Sequence, residues 1–213
     1  MSIFDPRFRQ SHPAGAAAIA LYRISQAIGH LLRTRGEETK LSPAQVQALL
    51  FLRFARPGVH TIGGLAERLG VSYATASGVA DALERKGLIQ RQPSPQDART
   101  VTLTLTESGN AQTVELEPVL DDLEEAIAQL PQREQEALLH ATQAIVRKLQ
   151  DKGHVRVYEM CWNCQFFRYN AHPQDARGPH HCAFVDAPLP EPNTYRECPD
   201  FVPLSTLREK REG

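Results

Sequence analysis

The chain has 213 residues, a formal net charge of -1 and an apolar share of 41%. This length accommodates one or two domains with a hydrophobic core. The near-neutral charge excludes a strong whole-molecule attraction to nucleic acid, so any DNA contact must come from local groups of side chains. No segment approaches the roughly 18 apolar residues of a membrane span, and the N-terminal residues lack the apolar stretch of a signal peptide. We therefore expect a cytoplasmic protein with no membrane partner.

The first part of the chain predicts helices with clear start and stop signals. Residues 1–13 are expected to form a flexible arm, and residues 14–40 a helix, because apolar side chains recur there at helical spacing. The sequence SPAQ at 42–45 predicts a second helix that starts with a capping box. The Pro-Gly pair at 57–58 predicts its end.

The segment between Thr61 and Gly109 carries the most informative pattern. Serine and threonine caps together with glycine stops predict two short helices separated by a tight turn. Two strands follow, at 88–92 and 100–105, and apolar residues alternate with threonine in the second of them. This order predicts a winged helix-turn-helix over residues 41–109, in which the second helix enters a DNA major groove.

The predicted DNA contacts lie at the start of that second helix and on the wing. Hydroxyl groups bond phosphates or base edges, and a wing arginine fits a narrow minor groove. A wing aspartate two residues before this arginine is expected to hold its guanidinium. Several of these side chains also have plainer interpretations, as a helix cap or as a solvated charge. The candidates are Ser72, Tyr73, Thr75, Ser77, Arg91, Asp97 and Arg99.

Residues 110–153 predict further helices with one apolar side each. Pro118 is expected to kink or break the first of them, and Pro131 to start the last, which Gly153 ends. The fold class predicted up to this point is mainly α-helical with a small β wing.

All four cysteines lie in the C-terminal residues 154–213, called the extension below, which lack helical periodicity and a core large enough to fold unaided. Four thiolates bind either zinc or a [4Fe–4S] cluster. Neighbouring aromatic residues and a Cys-Pro pair favour the cluster, with zinc as the alternative and disulfides or free thiols third. Three nearby histidines are expected to be solvated or to surround the site. The predicted metal ligands are Cys161, Cys164, Cys182 and Cys198.

The segments SPAQVQALLFL, LERKGLIQR, DARTVTLTLTESG and LPQREQEALL resemble the MarR family of winged-helix regulators over about residues 14–150. The resemblance implies a homodimer formed by the helices at 14–40 and 110–153. It also implies a pseudo-palindromic operator in double-stranded DNA and repression relieved by a signal. Gly78 and Ala82 stand where family members often carry basic residues. Since an interior helix glycine costs about 1 kcal/mol relative to alanine, Gly78 predicts close packing or close approach of DNA.

The cysteine spacing looks like that of high-potential iron–sulfur proteins and of the small subunits of some glycyl-radical enzymes, over about forty residues. This resemblance implies a cluster that responds to oxidants or to iron supply. Loss of the metal is expected to loosen residues 158–203, shift the dimer helices and so change operator affinity.

Three functions are compatible with these patterns. The main hypothesis is a transcriptional regulator whose metal centre senses redox state or iron. The alternative is a regulator of the same fold that binds a small-molecule effector between the dimer arm and the DNA-binding lobe, with a purely structural zinc. The third is an enzyme or an electron-transfer protein. Because the sequence has no P-loop, GxSxG or HExxH motif, we predict that it is not an enzyme.

Overall fold

The computed structural model describes residues 2–56, 58–93, 101–155, 161–195, 198, 200–202 and 204. The helices are α1 (Pro6–Arg9), α2 (Pro13–Thr39), α3 (Pro43–Phe54), α4 (Ile62–Leu69), α5 (Tyr73–Arg85), α6 (Glu107–Leu116), α7 (Asp121–Ala128) and α8 (Gln132–Asp151). The strands are β1 (Ile89–Pro93), β2 (Val101–Leu105), β3 (Phe167–Arg168), β4 (His180–Cys182) and β5 (Ala187–Leu189). The mainly helical class with a small wing is therefore confirmed.

The core is built around α3. Its apolar side chains repeat at helical spacing, and Val46, Ala48 and Leu49 are fully buried. Helices α2, α4, α5 and α6 pack against it. The predicted capping box is confirmed, because Gln45 N–H donates to Ser42 Oγ and Ser42 N–H donates to Gln45 Oε1.

Helices α4 and α5 form the predicted helix-turn-helix. Thr61 caps α4 by accepting from Gly64 N–H, and Ser72 caps α5 by accepting from Thr75 N–H. Between them, Gly70 adopts a left-handed conformation with φ 64°, which glycine reaches at little cost. The sharp turn sets the direction of α5 relative to α4.

Strands β1 and β2 pair antiparallel, with Ile89 opposite Leu105 and Pro93 opposite Val101. The hairpin joins the helical core through Leu103 N–H, which donates to His60 O at 2.6 Å. Alternation in β2 predicts one buried face, but this is correct only near the base. Leu103 is fully buried whereas Val101 is exposed, because the wing projects away from the core.

The predicted break at Pro118 is confirmed as a short 3₁₀ helix, Glu117–Leu120, between α6 and α7. Gly153, with φ 75°, follows the end of α8. Near the N-terminus, the segment predicted to be a flexible arm contains the one-turn helix α1, capped by the Asp5 side chain. The predicted aperiodic extension contains a three-stranded antiparallel sheet in the order β3-β4-β5. Strands of two or three residues are too short for a period to appear in the sequence.

None of the helices in the described part of the chain combines the length and the apolar character that a membrane span requires.

Candidate DNA-binding surface and cysteine cluster

The start of α5 presents side chains to solvent on a rigid base. Ala76, Ala80 and Leu83 are fully buried on its inner side. Tyr73 is 65% exposed at the first helical position. Thr75 is exposed as well, and its hydroxyl lies 2.9 Å from the Ser72 hydroxyl. Ser72, Tyr73 and Thr75 therefore form one exposed polar group.

Ser77 and Gly78 extend this surface along α5. Ser77 is half-buried, and Gly78 is exposed. A Cβ added at Gly78 would meet no heavy atom within 4 Å among the described residues. Close packing within the chain, one of the two reasons predicted for this glycine, is therefore wrong for the described residues. Close approach of DNA remains a prediction.

Arg91 lies on β1. Its side chain contacts α5 and is not a solvated charge. Its guanidinium donates to Asp81 Oδ1 at 2.6 Å and to Glu84 Oε2. Its backbone N–H also donates to Glu84 Oε1. These contacts join the base of the wing to α5. Asp97 and Arg99, the other two predicted wing contacts, lie outside the described residues.

Backbone hydrogen bonds connect the segments of the extension that carry the four predicted metal ligands. Cys161 and Cys164 form a tight turn in which Cys164 N–H donates to Cys161 O. Cys182 pairs with Phe167 across strands β3 and β4. Gln165 N–H donates to Val202 O and so brings the segment of Cys198 to the same turn.

Cys161 and Cys164 are buried, Cys182 and Cys198 are half-buried, and no disulfide joins these described cysteines. Burial raises the pKa of the Cys161 thiol, and the charge of Arg56 opposes this rise. Burial likewise raises the pKa of the Cys198 thiol, against a hydrogen bond from the Asp200 backbone. Among the described residues, no group of three or more His, Cys, Asp or Glu side chains is placed to hold a metal ion. The metal centre therefore stays a prediction.

His180 forms the centre of an aromatic cluster with Trp162, Phe167 and Tyr169. It is 2% exposed, so this histidine is not solvated, and the other alternative, a residue that surrounds the cysteine site, stays a prediction. Its Nδ1 accepts from Asn170 N–H, and its Nε2 therefore carries the hydrogen and donates to Glu191. Both ring nitrogens have partners, and His180 is a packing residue rather than a ligand.

Arg56 makes a contact with Cys161 that the sequence did not predict. It lies in the loop between α3 and α4 and is half-buried. Its Nη2 is 3.6 Å from Cys161 Sγ and also donates to Asn193 O. Nothing in the residues around Arg56 indicates a partner more than one hundred positions away in the sequence.

Residues 39–100 match the family model described as MarR family. The part of the chain that matches the family model ends at residue 100, before the extension. Among curated relatives, the HTH-type transcriptional repressor YetL of Bacillus subtilis is 28% identical over 100 residues, which are 47% of this chain and 60% of YetL. The matched part of each of four curated relatives is 45% to 63% of its length, so the chain spans less than two thirds of them.

Solved structures of the MarR type share the fold. A MarR-family transcriptional regulator from Silicibacter pomeroyi is 26% identical with a TM-score of 0.53, over 64% of this chain and 91% of that one. A DNA complex of S. aureus MepR is 24% identical with a TM-score of 0.55, over 62% of this chain and 97% of that one. These structures show the winged helix-turn-helix fold, and the family match is confined to residues 39–100.

Proposed function

We propose that this chain is a DNA-binding transcriptional regulator of the MarR type, acting as a repressor on a pseudo-palindromic operator. The observation that carries the proposal is the exposed polar start of α5, held by a fully buried inner face next to the wing. YetL is named a transcriptional repressor, and the Silicibacter pomeroyi neighbour a transcriptional regulator, which supports it. Both of these proteins are named as regulators, so they give no support to an enzymatic role.

The low net charge shapes how DNA is bound. With a net charge of -1, the chain has no general attraction to phosphate. Backbone N–H groups and hydroxyls at a helix N-terminus bind phosphate without a formal charge. Tyr73 and Thr75 occupy this position in α5. We therefore assign them, with Ser72 and Ser77, to the DNA interface, and Arg91 to the positioning of the wing against α5.

Selection from a pool of random DNA duplexes, followed by fluorescence anisotropy, tests this function. We expect a pseudo-palindromic sequence to be enriched. Tyr73→Ala should bind it about tenfold more weakly, or about 1.4 kcal/mol, with unchanged stability because Tyr73 is 65% exposed. Val185→Ala, which truncates a side chain that is 62% exposed in the extension, is the control. Failure to enrich any sequence would overturn the function, and unchanged affinity of Tyr73→Ala would remove that residue from the interface.

A homodimer is part of this proposal, and the surface of α8 supports it. None of the 20 residues of α8, all of which the structure describes, is buried. Leu139, Ile145 and Leu149 are nevertheless apolar and exposed. A long helix with an uncovered apolar side needs a partner surface. A second copy of the chain provides it and places two recognition helices on the two halves of a palindrome.

We further propose that Cys161, Cys164, Cys182 and Cys198 bind a metal centre, favoured as a [4Fe–4S] cluster that senses redox state or iron, with zinc as the alternative. The backbone bonds from Cys164 to Cys161 and from Gln165 to Val202 support a common site. The burial of Cys161, Cys164 and His180 supports an environment with little water.

Metal and sulfide analysis of protein purified without oxygen decides between the two metals. Brown protein with about four irons and four sulfides per chain would support the cluster. Colourless protein with about one zinc would support the alternative. Cys164→Ser should lower the metal content in either case. Full metal content in that variant would show that the ligand set is wrong, and wild-type protein with neither metal would overturn the centre.

A cavity favours a second candidate, a regulator that responds to a small molecule. It has a volume of about 840 Å³ and lies between Gln47, the turn at 67–72 and the segment 153–155 after α8. A ligand there would touch both the end of α8 and the cap of α5. If the protein holds structural zinc and its operator affinity does not depend on metal, screening of small molecules against DNA binding tests this candidate.

A further inference from the structure

Among the described residues, the side chain of Arg56 joins the extension to the DNA-binding lobe, which consists of α3 to α6, the 3₁₀ helix Glu117–Leu120 and the wing. Arg56 Nη2 lies 3.6 Å from Cys161 Sγ and also donates to Asn193 O. Cys161 belongs to the cysteine turn, and Asn193 to the 3₁₀ helix Glu191–Tyr195. Arg56 thus holds two separate parts of the extension next to the first helices of the lobe.

The loop that carries Arg56 is bonded to the wing and to α4, the first helix of the helix-turn-helix. His60 Nε2 pairs with Ala55 O at 3.1 Å, which closes the loop on the end of α3. His60 O accepts from Leu103 N–H of the wing strand β2. Thr61, at the end of the loop, caps α4. A displacement of Arg56 therefore acts on hydrogen bonds that position the wing and the helix-turn-helix.

We propose that Arg56 is the coupling residue through which the cysteine centre of the extension controls the DNA-binding lobe of the same chain. This inference rests on the metal centre of the proposed function and gives it a route. The route runs from Cys161 through Arg56 to the loop 55–61 and from there to β2 and α4. It differs from the expected route through the dimer helices, because it needs no change in α8.

Charge gives the coupling its strength. Four thiolates around Zn²⁺, or around a [4Fe–4S]²⁺ cluster, carry a net charge of about -2. The hydrogen bond from a guanidinium to a metal-bound thiolate is charge-assisted and stronger than a bond to a neutral thiol. Metal binding therefore tightens the contact of Arg56 with Cys161, and metal loss weakens it. Hydrogen bonds to the sulfur atoms also tune the properties of such a centre.

The two-point geometry calls for arginine at this position. A planar guanidinium has several N–H groups in a fixed fork and can serve a sulfur and a carbonyl together, whereas a lysine ammonium is a single flexible point charge. Arg53 offers an internal comparison. It lies on α3 only three residues earlier but bonds Asn110 Oδ1 and Glu117 Oε1 of the lobe itself.

Hydrogen exchange on the full-length chain tests the proposal, comparing chelator-treated protein with protein reloaded with Zn²⁺ or with iron and sulfide. In the wild type, loading should slow exchange at the amides of Thr61 and Leu103 about tenfold, which lies within the usual range of coupling between sites. Arg56→Gln should bind the same amount of metal but lose this response. Arg56→Lys should retain part of it, and Arg53→Gln should behave as the wild type.

The results separate this coupling from the proposed function. A wild type that takes up no metal, or that takes it up without slowing exchange at Thr61 and Leu103, overturns the coupling. So does an Arg56→Gln variant that responds as fully as the wild type, or an equal loss in Arg53→Gln. If exchange responds as expected while no duplex is bound in any state, the coupling stands and the proposed DNA-binding function fails.

Discussion

Two glycines of the DNA-binding lobe lie in opposite surroundings, one in open space and the other against the backbone. Gly78 is exposed on α5, and a methyl group there meets no heavy atom within 4 Å among the described residues. Gly109, buried in the first turn of α6, faces the backbone of Leu88, whose carbonyl oxygen a Cβ would overlap. Gly78 lowers helix stability and makes room for no neighbouring described residue. Gly109 permits contact between α6 and the base of the wing.

We therefore expect alanine substitutions to have opposite signs at the two positions. Gly78→Ala should raise the free energy of unfolding by about 1 kcal/mol, from helix propensity alone. Gly109→Ala should lower it by about 1–3 kcal/mol, because the backbone must move to admit the methyl group. Urea denaturation of both variants measures the difference. Equal signs would contradict the local packing described here.

Gly78→Ala also tests why the glycine is present. Because the chain leaves open space at this point, close approach of DNA is the remaining explanation. We expect the more stable Gly78→Ala protein to bind its operator more weakly than the wild type. Gly29→Ala, an interior position of α2 where a methyl group meets Arg33 at an ordinary 3.6 Å, is the control for added stability. Unchanged operator affinity in Gly78→Ala would contradict this explanation.

At the scale of elements, α8 has little support from the rest of the described chain. Its contacts within the chain are few, and none of its described residues is buried. Ala141, Ile145 and Leu149 follow one another at helical spacing, so the apolar stripe is continuous. Isolated helices are marginal in water, so a helix of this kind is stabilised mainly by an apolar partner surface.

We expect Ile145→Asp to weaken dimerisation about a hundredfold, or about 2.8 kcal/mol, since a carboxylate would be buried in the apolar interface. Operator binding should weaken with it, as the two half-sites are no longer bound together. Sedimentation of the variant over a concentration series measures the dimer constant. Ala144→Asp adds the same charge at an exposed neighbouring position and is the control. A dimer unaffected by Ile145→Asp would move the interface away from this side of α8.

At the scale of the whole molecule, the extension forms a second small unit beside the lobe. His180 is buried within it, with both ring nitrogens bonded, and the rings of Trp162 and Tyr169 pack against it. Three strands of two or three residues supply few backbone bonds. So small a unit needs an additional constraint, and the four cysteines are suited to supply it. The contact of Arg56 with Cys161 then links this unit to the DNA-binding lobe.

The sequence by itself determined the local structure of this protein. The caps Ser42, Thr61 and Ser72 form as expected, and so does the break at Pro118, because these signals depend on residues within one turn of each other. The winged lobe could be predicted for the same reason, since its elements follow one another in the chain. The metal ligands and the residues assigned to DNA remain predictions drawn from residue type and spacing.

Only the tertiary structure decided the partners of charged and buried side chains. Arg91, predicted to contact DNA, faces Asp81 and Glu84, while Arg56, which attracted no prediction, reaches Cys161. His180 is buried, whereas the adjacent His181 is half-buried. Each of these outcomes depends on contacts between residues distant in the chain, and helical or strand periodicity carries no information about them. Local patterns specify where elements begin and end, whereas packing specifies which side chains meet.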